Sequence, residues 1–237
     1  MNSFVLCLAD VPIRVSCFYD TTGTYCRDYL CDLEPQYEIT ITEEDIAYEK
    51  QLDTLRASDQ YLETLAVFRK AAKILIHEDV MVFHSSVIEV DGCAYVFSGS
   101  SGTGKSTHVK LWREYLKDRD VHMINDDKPL MKISGEIKIY GTPWMGKYRI
   151  GENRNAPIKA ICFLDQGTEN RIQRLNKDDA LTCLYKQTYR VNDREMLCHT
   201  LELLHDVARL IPVYHMDCTI SYEAVRLAYE KMKGEEE

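Results

Sequence analysis

Gly99 to Ser106 spell Gly-Ser-Ser-Gly-Thr-Gly-Lys-Ser, an uninterrupted G-x-x-x-x-G-K-[ST] pattern, and no other stretch restricts the fold of this chain as tightly. The apolar run Ala94 to Phe97 can end a buried strand, and His108 to Leu116 has helical spacing, with Val109, Leu111, Trp112 and Leu116 available for one face. Strand, glycine loop and helix in that order form a phosphate-binding loop. Gly99, Gly102 and Gly104 let the backbone curl so that N–H groups converge on anionic oxygens, and the helix adds the positive end of its dipole. Ser100, Ser101, Thr103 and Thr107 keep the cradle small and polar; Lys105 is placed to reach β- and γ-phosphates, and the Ser106 hydroxyl to ligate Mg²⁺ or Mn²⁺.

The 237 residues suit one large domain, or one domain with a small lobe, and 45% hydrophobic residues supply a real core. With 29 Lys and Arg against 38 Asp and Glu, the formal charge of −9 disfavours a broad nucleic-acid footprint. Nine cysteines without a C-x-x-C pair or zinc spacing read as reduced thiols, which suits the cytoplasm. The first residues lack a basic segment and a long enough apolar run for a signal peptide, and no apolar stretch reaches membrane-spanning length.

Before the loop, Phe4 to Leu8, Ile13 to Tyr19 and Tyr37 to Ile41 read as strands of a small antiparallel sheet. Thr42-Glu43-Glu44-Asp45 signals a helix start, and Tyr61 to His77 an amphipathic helix. Met81 to Phe83 and Ser86 to Val90 read as strands, the latter joined to Ala94–Phe97 by the hairpin turn Asp91-Gly92. Val121 to Ile124 leads to Asn125-Asp126-Asp127, a second hairpin turns at Ser134-Gly135, and 146 to 157 read as a basic loop. Strands at Ile158 to Leu164, Arg171 to Leu175 and Val213 to Met216 alternate with helices at Lys177 to Tyr185, Arg194 to Leu210 and Tyr222 to Met232. The expected division is a β-rich lobe with one helix over 1–79, a core over 80–233 and a frayed tail over 234–237.

Phosphoryl transfer needs a metal ligand and a group that accepts the proton of the attacking hydroxyl. Asp126 and Asp127, leaving a strand end in different directions, can divide these tasks, and the sequence leaves open which does which. A solvated acidic turn before Pro129 is the plainer alternative. Lys147, Arg149, Arg154 and Asn155 form a basic group able to neutralise a transferring phosphoryl or an anionic acceptor. His84 stands at a strand end, and Trp144 reads as packing.

His84-Ser85-Ser86-Val87, Phe97 to Thr107, Ile124-Asn125-Asp126-Asp127, Gly141-Thr142-Pro143-Trp144 and Ala156-Pro157-Ile158 together resemble the kinase domain shared by HPr kinase/phosphorylase and the phosphoenolpyruvate carboxykinases, most closely the small bacterial HPr-kinase-like proteins. The resemblance covers about 80 to 216. It implies an α/β fold, a P-loop kinase core on a mixed β-sheet, with ATP and a divalent metal. Carried over by position, Lys105 and Ser106 bind phosphate and metal, one of Asp126 and Asp127 is metal-associated (Asp127 on this reading) and the other the base, with His84 nearby. Neither the separate amino-terminal domain of full-length HPr kinase nor its carboxy-terminal phosphorolysis signature is found. The expectation is a kinase acting on a hydroxyl of a peptide, protein or free amino acid. A nucleotide-binding regulatory protein and a carboxykinase-type decarboxylase are the rivals.

Overall fold

The computed structural model describes residues 1–234, and the predicted fraying of Glu235, Glu236 and Glu237 lies outside them. The chain divides into two compact units, Met1–Val80 and Met81–Glu237. In the first, β1 (Asn2–Leu8) and β2 (Val11–Cys17) form an antiparallel hairpin. Its two-residue turn places Ala9 and Asp10 at positive φ, as the twist of a tight hairpin demands. The strand expected through Tyr19 ends at Cys17, and a short helix, α1 (Asp20–Tyr25), follows with Tyr19 as its N-cap. β3 (Tyr37–Thr40) then pairs with β2 in parallel, correcting the antiparallel sheet read from the sequence. The intervening helix and turn supply the crossover that a parallel return requires.

α2 (Glu43–Leu52) starts with a capping box in which Thr42 and Asp45 exchange side chain to backbone bonds, and α3 (Asp59–Leu75) with Ser58 accepting from the Tyr61 N–H. Fully buried Glu63 on α3 accepts from the Phe18 and Tyr19 N–H groups and the Thr22 hydroxyl at 2.6, 3.1 and 2.5 Å. The carboxylate thus satisfies orphan donors at the start of α1 without a cation.

The second unit is built on a mixed sheet. In chain order come β4 (Val80–Val82), which begins at the division, β5 (Ser86–Val90), β6 (Cys93–Ser98), α4 (Lys105–Tyr115), β7 (Val121–Asn125), β8 (Leu130–Lys132), β9 (Lys138–Tyr140), β10 (Asn155–Gln166), β11 (Arg171–Arg174), α5 (Lys177–Gln187), α6 (Arg194–Leu210), β12 (Val213–Cys218) and α7 (Tyr222–Met232). The Asp91-Gly92 turn joins β5 to β6 with both residues at positive φ. β10 is longer than the strand expected, because its first residues, 155 to 157, pair with β9 and its later ones with β6 and β12.

β6, β10 and β12 run parallel, and β5 is antiparallel to both β6 and β7. The carboxyl ends of β6, β7, β10 and β12 therefore share one edge of the sheet, the edge where open α/β sheets bind ligands. Beneath it, α4 and α7 cover one face through Val109, Trp112, Ala224, Val225 and Ala228, packed on Phe97, Cys162, Leu164 and Met216. The nine cysteines are free thiols, and no helix among the described residues is long and apolar enough to cross a membrane.

Within that core His108 accepts a hydrogen bond from the Trp112 indole N–H at 3.0 Å, and burial lowers its pKa to about 4. An unfolded chain takes up the proton near the ordinary imidazole value of 6.5, before the folded one does, so stability falls as pH drops through that interval. Acidification from about pH 7 to about pH 5 is expected to cost roughly 2 kcal/mol at this residue alone. Urea unfolding at both pH values should show that much less pH dependence in His108→Gln, which keeps an acceptor for Trp112.

Candidate active site

The segment between β6 and α4 turns through Gly99, Gly102 and Gly104 at φ +143°, +86° and +96°, and Gly104 caps α4. Gly99 is fixed for a second reason. A β-carbon there would stand 2.7 Å from the Leu164 carbonyl oxygen of β10, so only glycine lets the loop leave β6 this close to its parallel neighbour. Gln166 donates to the Gly102 carbonyl at 3.0 Å and Thr103 to that of Ser100 at 3.0 Å. Lys105 folds back over the loop, its ammonium 2.9 and 3.1 Å from the Gly99 and Ser100 carbonyls. Burial lowers its pKa, against the field of the Asp127 carboxylate.

The acidic pair lies at the same edge. Asn125, fully buried at the end of β7, accepts from the Asp127 and Lys128 N–H groups, both at 2.8 Å, and donates to the Thr142 carbonyl and hydroxyl at 3.1 Å. This side chain fixes the turn that sends the two carboxylates apart. Asp127 meets His84 Nε2 at 3.3 Å and the Lys128 ammonium, and His84 Nδ1 lies 3.0 Å from the Gln187 amide oxygen. Burial would raise the Asp127 pKa; the His84 hydrogen bond and Lys128 outweigh it and hold the group at about 2.

Asp126 differs. Its carboxylate accepts from the Gly146 N–H at 2.6 Å, its carbonyl from the Ser86 hydroxyl at 3.2 Å. Burial shifts its pKa upward, opposed by the Gly146 and Ile150 N–H groups and reinforced by Asp127.

Asp126, Ser86, Ser106 and Thr107 line a cleft of about 550 Å³, which continues past Val109, Lys110 and Arg113 of α4 and is faced by Met123, Tyr148 and Ile150. A second cleft of about 370 Å³ lies across α4, between Thr103, Gly104, Thr107, His108 and Leu111 and the residues following β10 and β12, Gly167, Thr219 and Ile220 among them. Both open from the loop, and Thr107 belongs to each.

Of the basic group read from the sequence, exposed Lys147 and Arg149 remain in the loop that reaches Asp126. The structure does not bring Arg154 and Asn155 to them. The Arg154 guanidinium binds both oxygens of buried Glu89 on β5 at 2.9 and 3.0 Å, and Asn155 opens β10 opposite Tyr140. Lys128, Gln187, Lys110 and Arg113 were not signalled by the sequence, whereas Asn125 ahead of two acids carried a recognisable turn signal. Pairing of β10 with β12 also gathers Asp165, His215 and Asp217, whose ligand atoms lie within 4.8 Å of one another; His215 Nε2 is 2.9 Å from Asp165 Oδ2.

Searches with protein-family models and among curated proteins give no match to this chain. Among solved structures it is similar to the HPr(Ser) kinase/phosphatase of Coxiella burnetii, over 65% of this chain and 99% of that one, at 9% identity and a TM-score of 0.34.

Two substitutions separate structural from chemical roles. Gly99→Ala, strained in φ and in contact with Leu164, should lose about 2 kcal/mol or more in thermal or urea unfolding. Arg154→Met leaves Glu89 buried and unpaired and should cost about 3 kcal/mol in the same measurement, so any loss of activity should track the fraction unfolded.

Proposed function

We propose that this chain is an ATP-dependent kinase that transfers the γ-phosphoryl group to an alcohol, a serine or threonine hydroxyl being the acceptor. One observation carries the reading: the Asp126 carboxylate and the Ser106 hydroxyl face the same cleft, at the mouth of a glycine loop whose lysine and helix N-terminus are arranged for phosphate. The loop N–H groups and Lys105 hold the phosphates. The 370 Å³ cleft, lined by Leu111 and Ile220 among others, is suited to the nucleobase.

Ser106 and Asp127, the residues assigned to a metal, offer oxygens, the ligand type of a hard divalent cation, and the low pKa of Asp127 keeps it ionised. Bound there, Mg²⁺ or Mn²⁺ would neutralise charge on the phosphates. The assignment gives the chain's own residues separate tasks. Asp127, anchored by His84 and Lys128, stays an anion beside Lys105. Asp126, held by the Gly146 N–H and lining the larger cleft, orients the acceptor and takes its proton. The acceptor oxygen bonds to the γ-phosphorus, the bond from that phosphorus to the bridging oxygen breaks, and ADP leaves. Lys147 and Arg149 stand in the loop next to Asp126 and contribute positive charge there.

Titration with ATP and Mg²⁺, followed by transfer of label from γ-labelled ATP to hydroxyl acceptors, tests this directly. Lys105→Ala should weaken ATP binding by roughly tenfold or more. Asp126→Asn should retain ATP affinity and lose about 10²- to 10⁴-fold in transfer. Transfer at the native rate by Asp126→Asn would remove Asp126 from the chemistry.

A further inference from the structure

We propose that the 550 Å³ cleft accepts a peptide whose hydroxyl lies two or three residues from a carboxylate, and that Lys110 and Arg113 bind this carboxylate. The inference rests on the transfer reading above and names its acceptor. At one end of the cleft stand Ser86, Ser106 and Asp126; along its α4 wall Lys110 follows Ser106 by four residues and Arg113 by seven. At about 1.5 Å per helical residue the two cations stand roughly 6 and 10 Å from the reacting end. An extended chain covers about 3.3 Å per residue, so the anion falls two or three residues from the hydroxyl. A free amino acid, with hydroxyl and carboxylate on one residue, does not span this distance.

The cations are available. Arg113 makes no hydrogen bond or ion pair among the described residues, and Lys110 reaches only Glu114, at 3.9 Å on the exposed helix surface. In a chain of net charge −9, two such cations along one cleft create a local positive field in an otherwise acidic molecule. The same cleft is lined by Val109, Met123 and Ile150, which suit an apolar residue between the hydroxyl and the carboxylate. Arg113 offers the planar fork that takes a carboxylate with two hydrogen bonds.

The test uses the full chain with γ-labelled ATP and Mg²⁺, offering an end-blocked serine-leucine-glutamate peptide, its glutamine counterpart and free serine, to the native protein, Arg113→Met, Lys110→Met and Arg113→Lys. ATP affinity is measured alongside in every protein. The glutamate peptide should exceed the glutamine peptide by roughly tenfold or more in kcat/KM. Arg113→Met should abolish that preference through KM with ATP affinity unchanged, Lys110→Met should reduce it, and Arg113→Lys should restore part of it. Equal use of the two peptides, a preference for free serine, a preference that survives Arg113→Met, or no transfer to any acceptor while ATP binds would each overturn the acceptor assignment. Failure to bind ATP at all would overturn the kinase reading, and this proposal with it.

Discussion

The contact on which the site depends is the approach of Gly99 to the Leu164 carbonyl, where a β-carbon would stand 2.7 Å away. Parallel pairing holds β6 against β10, and the chain must leave β6 over its neighbour's backbone before it can turn back into α4. That exit sets where the loop N–H groups gather, where α4 begins and where the Lys105 ammonium comes to rest. The glycine is therefore a steric condition of the sheet, whatever the loop binds.

The acidic pair shows how neighbouring identical side chains acquire different characters. Asn125 spends its side chain on two N–H groups and on Thr142, so the turn after β7 is determined and the carboxylates diverge. Asp127 enters a field of His84 and Lys128 and remains an anion; Asp126 is buried with no such cation beside it and with the Asp127 charge nearby, and these raise its pKa against the Gly146 and Ile150 N–H groups. The separation needs no difference in residue type, only in what each strand end faces.

Local signals made much of this architecture legible in the sequence. The strand–loop–helix order around Gly99 to Ser106, the Asp91-Gly92 hairpin and the helices Arg194–Leu210 and Tyr222–Met232 follow from periodicity and turn chemistry, and the observed elements coincide with them. What escaped was nonlocal. The parallel return of β3 depends on a crossover whose short helix has no strong period. Arg154 looked like one member of a basic loop because the sequence does not reveal Glu89, 65 residues earlier, as its partner. Gln187 meets His84 across 103 residues, and Lys110 and Arg113 became notable only once a cleft was seen to run along their side of α4.

α4 itself is divided lengthwise into three stripes. At about 100° per residue, Lys105, Val109 and Trp112 face inward, while Ser106, Lys110 and Arg113 flank them on one side and Thr107 and Leu111 on the other. Thr107 apart, which lines both, each cleft can therefore be altered by substitution with little effect on the other. Changes in length have no such freedom: one residue inserted after Thr107 would rotate every later position by about 100°, carrying core residues into a cleft and cleft residues into the core. Over this stretch the chain can vary in composition while its residue count stays fixed, a restriction set by helical phase.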